Sequence, residues 1–124
     1  EKQYLQKNKN IKMCVDPNWM PFEMIKNNTY VGLGSGYMKL ISDKISTPVT
    51  LMATTTWKSS IALFKEKKCD ILPLAMETKT RKEFMNVTKA YLTVPLVIST
   101  TNDKFFISSI SELKNKKIGI VGNY

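Results

Sequence analysis

The chain has 124 residues, which allows one domain or one domain with part of a second, and 43% apolar against 23% charged residues with five Gly and five Pro is a globular composition with a real core. It contains no histidine, which excludes Ser-His-Asp and Cys-His catalysis, His-based zinc sites and haem ligation by His. The formal charge of +9 brings nucleic acid or an anionic membrane to mind, but the lysines are spread along the whole chain with no Arg-rich cluster, zinc-finger spacing or aromatic-basic run, so no nucleic-acid partner is expected.

Residues 1 to 9 are polar around Tyr4 and Leu5 and suit a short surface helix. Ile11 to Val15 is a strand-length run ended by the turn signal Asp16-Pro17-Asn18. Phe22 to Ile25 and Tyr30-Val31, separated by Lys26-Asn27-Asn28-Thr29, read as a hairpin, because Asn tolerates positive φ. Tyr37, Leu40, Ile41 and Ile45 then recur at helical spacing, with Ser35 as the expected N-cap. Val49 to Ala53 is a second strand, and Thr56 caps a second helix carrying Trp57, Ile61 and Phe64. Asp70 to Leu74 is a third strand, whose Pro73 forbids one ladder donor and suggests an edge or a bulge. Tyr91 to Ser99 is an extended apolar stretch, Ser109 to Glu112 is a capping box opening a short helix, and Ile118 to Val121 is a closing strand.

Strands alternating with helices argue for an α/β fold with a parallel sheet, in which ligands bind beyond the carboxyl ends of the strands. That rule nominates Asp16 to Phe22, Thr54 to Trp57 and Ala75 to Arg81. Arg81 is the sole arginine in a lysine-rich chain, and its planar fork grips a carboxylate with two parallel hydrogen bonds. Trp19 and Trp57, the only tryptophans, fall on the same predicted rim, where aromatic walls with one Arg and one Asp would suit a small zwitterion or carboxylate; taken alone, their pattern slightly favours two ordinary core aromatics. Gly32-Leu-Gly-Ser-Gly36 has the wrong spacing and context for a dinucleotide fingerprint, and no P-loop is present. Pairs such as Asp16 with Glu23 or Asp70 with Glu77 read as solvated or structural carboxylates rather than acid–base partners. No catalytic residue, metal site or cofactor is expected. Cys14 and Cys69 fit either one long-loop disulfide or two buried thiols, and two thiols are the favoured expectation. No apolar run approaches a membrane span.

Read together, these segments resemble the amino-acid type of the periplasmic solute-binding protein family, the bilobed Venus flytrap. The resemblance is carried by Asp16-Pro-Asn-Trp19-Met-Pro21-Phe22-Glu23 after the first strand, by Asp70-Ile-Leu-Pro-Leu with Thr78-Lys-Thr-Arg81 and Val87-Thr88-Lys-Ala-Tyr91, and by Ile107 to Val121. It is greatest with the extracytoplasmic sensor domains of hybrid histidine kinases and diguanylate cyclases. The resemblance implies lobe one of a type II periplasmic-binding-protein fold over residues 1–99, without its C-terminal return, then the crossover and first elements of lobe two over residues 100–124. It implies that Arg81 binds a ligand carboxylate beside Thr78, that Trp19 and Trp57 form the walls, and that Asp16 and Ala75 complete the ligand contacts. Val87, Ala90 and Thr80 replace the usual Phe, Pro and Glu, and Gly122-Asn123 stands where the family has a residue followed by Gly. The function so implied is an extracytoplasmic sensor for an amino acid or small carboxylate, signalling from a membrane-anchored parent protein to a kinase or cyclase. The alternative is the amino-acid receptor of an ABC transporter. A homodimer through an unpaired Ile118 to Val121 strand is a further expectation.

Overall fold

The computed structural model describes residues 2–103 and 106–120, in two compact units, Glu1–Asn86 and Val87–Tyr124. In the first unit, α1 (Lys2–Lys7) leads to β1 (Ile11–Met13), and β1 pairs in parallel with β5 (Val49–Leu51) in the register Ile11↔Val49, Lys12↔Thr50 and Met13↔Leu51. Between them lie an antiparallel meander, β2 (Asn18–Trp19), β3 (Glu23–Lys26) and β4 (Thr29–Val31), and the long helix α2 (Leu33–Ile45). After β5 come α3 (Trp57–Lys65) and the single turn α4 (Lys79–Lys82). The core is Met13 and Val15 from β1 and its exit, with Met38 of α2, ringed by Ile25, Tyr30, Tyr37, Val49, Leu51 and Ile71. A short parallel sheet with helices packed on it is the first lobe of a periplasmic-binding-protein fold.

The hairpin forms where the Asn pair predicts it. Asn27 (φ 49°) and Asn28 (φ 60°) both take positive φ, as a two-residue turn between Lys26 and Thr29 requires. The expected two-stranded hairpin gains a third strand, since Trp19 pairs with Glu23 and Asn18 with Met24. The expected Ser35 cap is corrected: α2 begins at Leu33 and Gly32 occupies the N-cap. A Cβ on Gly32, held at φ 102°, would lie 2.7 Å from the Phe22 carbonyl oxygen, so a side chain there meets fixed backbone. That close approach lets the Gly34 N–H donate to Phe22 O at 2.8 Å, while the Ser35 hydroxyl bonds back to Gly32 O at 2.7 Å. Ser46 in the left-handed region (φ 51°) ends α2 two residues before Pro48. Thr56 caps α3 as expected, its hydroxyl accepting from the Ser59 N–H at 3.1 Å while the Ser59 side chain accepts from the Thr56 N–H at 3.2 Å.

The third strand is reduced to one parallel bridge, Met13↔Ile71, with the Cys14 N–H donating to Ile71 O at 3.1 Å. Pro73 has no N–H with which to extend that ladder. In the second unit, Ser109 precedes a 3-10 turn (Ile110–Leu113), but its side chain makes no cap bond and instead shares a hydrogen bond of 2.6 Å with the Ser111 hydroxyl, while Glu112 accepts from the Ser108 hydroxyl. Tyr91 to Ser99 is irregular, with Leu96 88% exposed. Ile118 to Ile120 pairs with no described strand, and Ile118 and Ile120 are exposed. Val121 and Gly122-Asn123 lie outside the described residues. Among the described residues no helix is long and apolar enough to cross a membrane, and no three His, Cys, Asp or Glu side chains cluster to hold a metal ion.

The favoured reading of two thiols is overturned. Cys14 and Cys69 form a disulfide, with both residues buried and Cα atoms 5.8 Å apart. The register explains the pairing: the bridge at Met13↔Ile71 sets β1 and the third strand side by side, so the residues just beyond and just before it meet. Closing a loop with a sequence separation of 55 restricts the unfolded chain and is worth about 4 kcal/mol on chain-entropy grounds. The denatured, unreduced chain is therefore expected to show no titratable thiol. Replacing Cys14 and Cys69 together by Ala should lower unfolding stability by roughly 2–4 kcal/mol in urea titration, and an unchanged stability would contradict this account.

Candidate functional site

The site grows from two groups of side chains in the first unit. One is centred on Arg81, only 8% exposed on the single turn α4. Thr78 starts that turn, its hydroxyl accepting from the Arg81 N–H at 3.2 Å. The guanidinium reaches back, so that Nη1 donates to Met76 O at 3.0 Å and Cζ lies 5.4 Å from the centre of the Trp57 ring. Trp57 opens α3, whose cap at Thr56 fixes the indole's approach, and its buried Nε1–H has no acceptor among the described residues. Arg81 forms no ion pair with any described residue. A guanidinium carries five N–H donors in a planar fork, and the Met76 carbonyl takes one through Nη1. Ala75 is half-buried, next to the Met76 carbonyl that takes the guanidinium.

The second group surrounds the chain leaving β1. Asp16 is buried, and its Oδ1 accepts from the Asn18 N–H at 2.9 Å, a tight turn that delivers Trp19 into β2. The Trp19 and Phe22 rings pack with centroids 5.0 Å apart. Glu23 is 1% exposed and lies beneath this loop. Its Oε1 accepts from the Asp16 N–H at 2.9 Å and its Oε2 from the Tyr30 hydroxyl at 3.0 Å. From the opposite side Ser60 of α3, wholly buried, donates to Val15 O at 2.7 Å and shares a hydrogen bond of 2.6 Å with Thr54.

Of the six residues expected at the site, the structure gathers Arg81, Thr78 and Trp57 into one group with Ala75 alongside, and sets Asp16 and Trp19 on one tight turn. Tyr30 and Ser60, which help to hold that turn, escaped the sequence reading, and Glu23 enters it as one of a carboxylate pair, without that role. Glu23 is a structural carboxylate as expected, but a buried one rather than solvated. A signal existed: Glu23 stands in the run Phe22-Glu23-Met24-Ile25, where a strand with a buried face has no cheap place for a charge. Asp70 and Glu77 are structural and surface groups as expected, Asp70 accepting from the Tyr4 hydroxyl and the Lys12 N–H and Glu77 pairing with exposed Lys82.

Residues 11–121 match the family described as bacterial extracellular solute-binding proteins, family 3, and the chain belongs to that family. No curated protein sequence matches it. Among solved structures it is similar to the arginine-bound form of domain 1 from TmArgBP, of T. maritima, with a TM-score of 0.54 and 20% identity over 64% of this chain and 64% of that one. An ancestral cationic amino acid solute-binding protein, AncCDT-1, gives a TM-score of 0.55 and 24% identity over 65% of this chain and 36% of that one. The periplasmic VFT2 domain of BvgS from Bordetella pertussis gives 0.60 and 14% over 66% and 35%. The chain thus spans about two thirds of the single domain and about a third of the larger structures.

Burial pushes the Glu23 carboxyl up from 4.5 to about 7, and the neighbouring Asp16 carboxylate adds to the rise, against the opposing pull of the Asp16 N–H and the Tyr30 hydroxyl. The folded chain therefore holds this proton more tightly than the unfolded one. The stabilisation is complete below the unfolded value and is lost as pH rises through about 7, a span of about 3 kcal/mol. Urea unfolding at about pH 5 and about pH 8 should show Glu23→Gln lacking the part of the decline that the parent chain owes to this group. An identical decline in both proteins would refute the assignment.

Proposed function

We propose that this chain is the ligand-binding part of an extracytoplasmic solute sensor that takes an amino acid or small carboxylate, with Arg81 as the carboxylate anchor. One observation carries the reading: a buried guanidinium, seated against Trp57 and oriented by the Met76 carbonyl, that has no carboxylate partner among the described residues. Thr78 holds Arg81 in place, Trp57 and Trp19 supply aromatic walls, and Asp16 with the Ala75 backbone completes the contacts. Residues 1–99 are read as lobe one and residues 100–124 as the crossover into lobe two. Ligand bound between two lobes favours the closed state only by touching both, which is how occupancy becomes a signal.

Family membership and the buried disulfide support an extracytoplasmic location, since disulfides persist in oxidising compartments. The likeness to a BvgS periplasmic domain favours a sensor passing its signal through a membrane-anchored parent to a histidine kinase or diguanylate cyclase. The likeness to arginine-bound TmArgBP favours the alternative, the amino-acid receptor of an ABC transporter. The two readings share the ligand site and part at the output, so a transmembrane segment and kinase or cyclase domain on the same polypeptide decides between them. AncCDT-1 is described as a precursor of cyclohexadienyl dehydratase, yet nothing in the present site orients a general acid and base around a substrate, and binding without chemistry is the reading we adopt.

Domain 1 of TmArgBP was obtained alone in an arginine-bound form, which makes a binding screen on this chain a fair test. Thermal shift with amino acids and small carboxylates, followed by calorimetry, is expected to find a ligand. Arg81→Ala should weaken it by roughly 100-fold while leaving the fold intact, as expected for losing a bidentate charged pair. Arg81→Lys should not restore binding, because a point charge does not replace the planar fork. Near-parental affinity in the lysine variant would remove Arg81 from that role.

A further inference from the structure

Among the described residues Glu23 is the largest side chain buried below 2% exposure, and the solute-binding site as proposed makes no use of it. Its two oxygens are taken by two different elements, Oε1 by the Asp16 N–H beyond β1 and Oε2 by the Tyr30 hydroxyl of β4. From Asp16 the connection runs on through Oδ1 to the Asn18 N–H and into β2, where Trp19 lies in register with Glu23 itself. The Ile25 N–H, donated to Pro17 O at 3.1 Å, closes the same loop over β3. A single buried carboxylate therefore sits under both rim residues, Asp16 and Trp19. We infer that Glu23 is a positioning acid whose ionisation state sets the hold on Asp16 and Trp19, so that the geometry of the rim, and with it affinity for a carboxylate solute, answers to external pH.

The groups facing Glu23 define what its ionisation changes. Asp16 brings a carboxylate and a backbone donor, and Tyr30 brings a hydroxyl. At the start of α2 the neighbours are Gly32, whose added Cβ would lie 3.1 Å from the Glu23 Cα, and Gly34, packed under the Tyr30 hydroxyl; neither is charged. No cation among the described residues pairs with Glu23. The ionised acid accepts a charge-assisted bond from the Asp16 N–H, whereas the neutral acid accepts a weaker one and presents a proton that needs its own acceptor. The raised carboxyl described above places this change near neutrality, where an extracytoplasmic compartment varies.

The consequence for affinity rests on the solute-binding reading; the movement of the rim does not, and the experiment separates them. In the chain carrying Trp57→Phe, Trp19 is the sole tryptophan, and its fluorescence without ligand is expected to show one transition centred at about pH 7. Glu23→Gln in that background should abolish the transition. Tyr30→Phe removes a bond that favours the ionised form and should move the midpoint upward by roughly half a pH unit, which keeps the inference open to refutation if the glutamine variant fails to fold. A flat profile in the parent, a transition surviving Glu23→Gln, or a midpoint unmoved in Tyr30→Phe overturns the coupling. With Trp57 restored, L-arginine and L-glutamate serve as probes, and whichever binds should do so roughly threefold tighter at about pH 8 than at about pH 6, with no such difference in Glu23→Gln. Binding insensitive to pH in the parent overturns the link to affinity. Failure of both probes and of every carboxylate screened, beside an intact Trp19 transition, defeats the solute-binding reading and upholds the pH-dependent rim.

Discussion

The structure of the first unit depends on how the chain leaves β1. Cys14, Val15 and Asp16 are all buried, and a buried backbone must have its N–H and C=O groups answered. Three of these groups are answered from different parts of the sequence: the Cys14 N–H by Ile71 O, the Val15 carbonyl by Ser60 of α3, and the Asp16 N–H by Glu23 of β3. The disulfide from Cys14 to Cys69 adds a covalent tie at the same place. Three residues thereby fix the third strand, α3 and the meander relative to β1. None of these bonds is replaceable by a merely apolar contact, because removing one partner leaves a desolvated polar group behind.

That constraint explains the division of labour around the site. Asp16 and Trp19 ride on a loop clamped from below by Glu23 and across β3 by the bond from Ile25 to Pro17. Arg81 has a different support. Between the lone bridge at Ile71 and the single turn α4 there is no ladder, so its position rests on local devices: the Thr78 cap, the Met76 carbonyl and the Trp57 ring. Trp57 is in turn held by the Thr56 and Ser59 capping box, and Ser60 of the same helix returns to the β1 exit. Arg81, the proposed carboxylate anchor, is thus connected to the β1 exit through α3, by a helix N-terminus rather than by the sheet.

Much of this was legible in the sequence because it is local. The Asn27-Asn28 turn, the Thr56 cap, and the runs Ile11 to Val15 and Val49 to Ala53 are each decided by neighbours within a few residues, and each forms about where the pattern puts it. The sole arginine, standing among 18 lysines, marked a position that the structure then buries. What escaped is non-local. The disulfide needs the register of β1 against Ile71, and two cysteines alone do not contain that register. The start of α2 at Leu33 turns on a close approach between Gly32 and Phe22, invisible to a search for Ser or Thr caps. Glu23 finds one partner seven residues before it and the other seven after, across two strand connections that only the folded meander brings together.

Besides Asp16, two buried ionisable groups of this unit, Glu23 and Arg81, are also informative in how they are satisfied. A buried acid and a buried base in one small unit lower their joint desolvation cost by pairing, and here they do not pair. Glu23 is answered by a backbone N–H and a phenol, both neutral donors, while Arg81 is answered by a carbonyl and the face of an indole. Neither arrangement sets an opposite charge against the group: the guanidinium meets no carboxylate among the described residues, and Glu23, pushed up to about 7, is relieved by holding its proton below that pH. An ion pair between them would occupy the guanidinium's fork, and a site closed in this way has nothing left for an incoming carboxylate. By contrast, the two ion pairs formed among the described residues, Lys68 with Glu66 and Lys82 with Glu77, lie on the exposed surface, where such pairs contribute little to stability. The buried Glu23 and Arg81 are kept apart, and an unoccupied guanidinium fork is what the proposed site for a carboxylate solute requires.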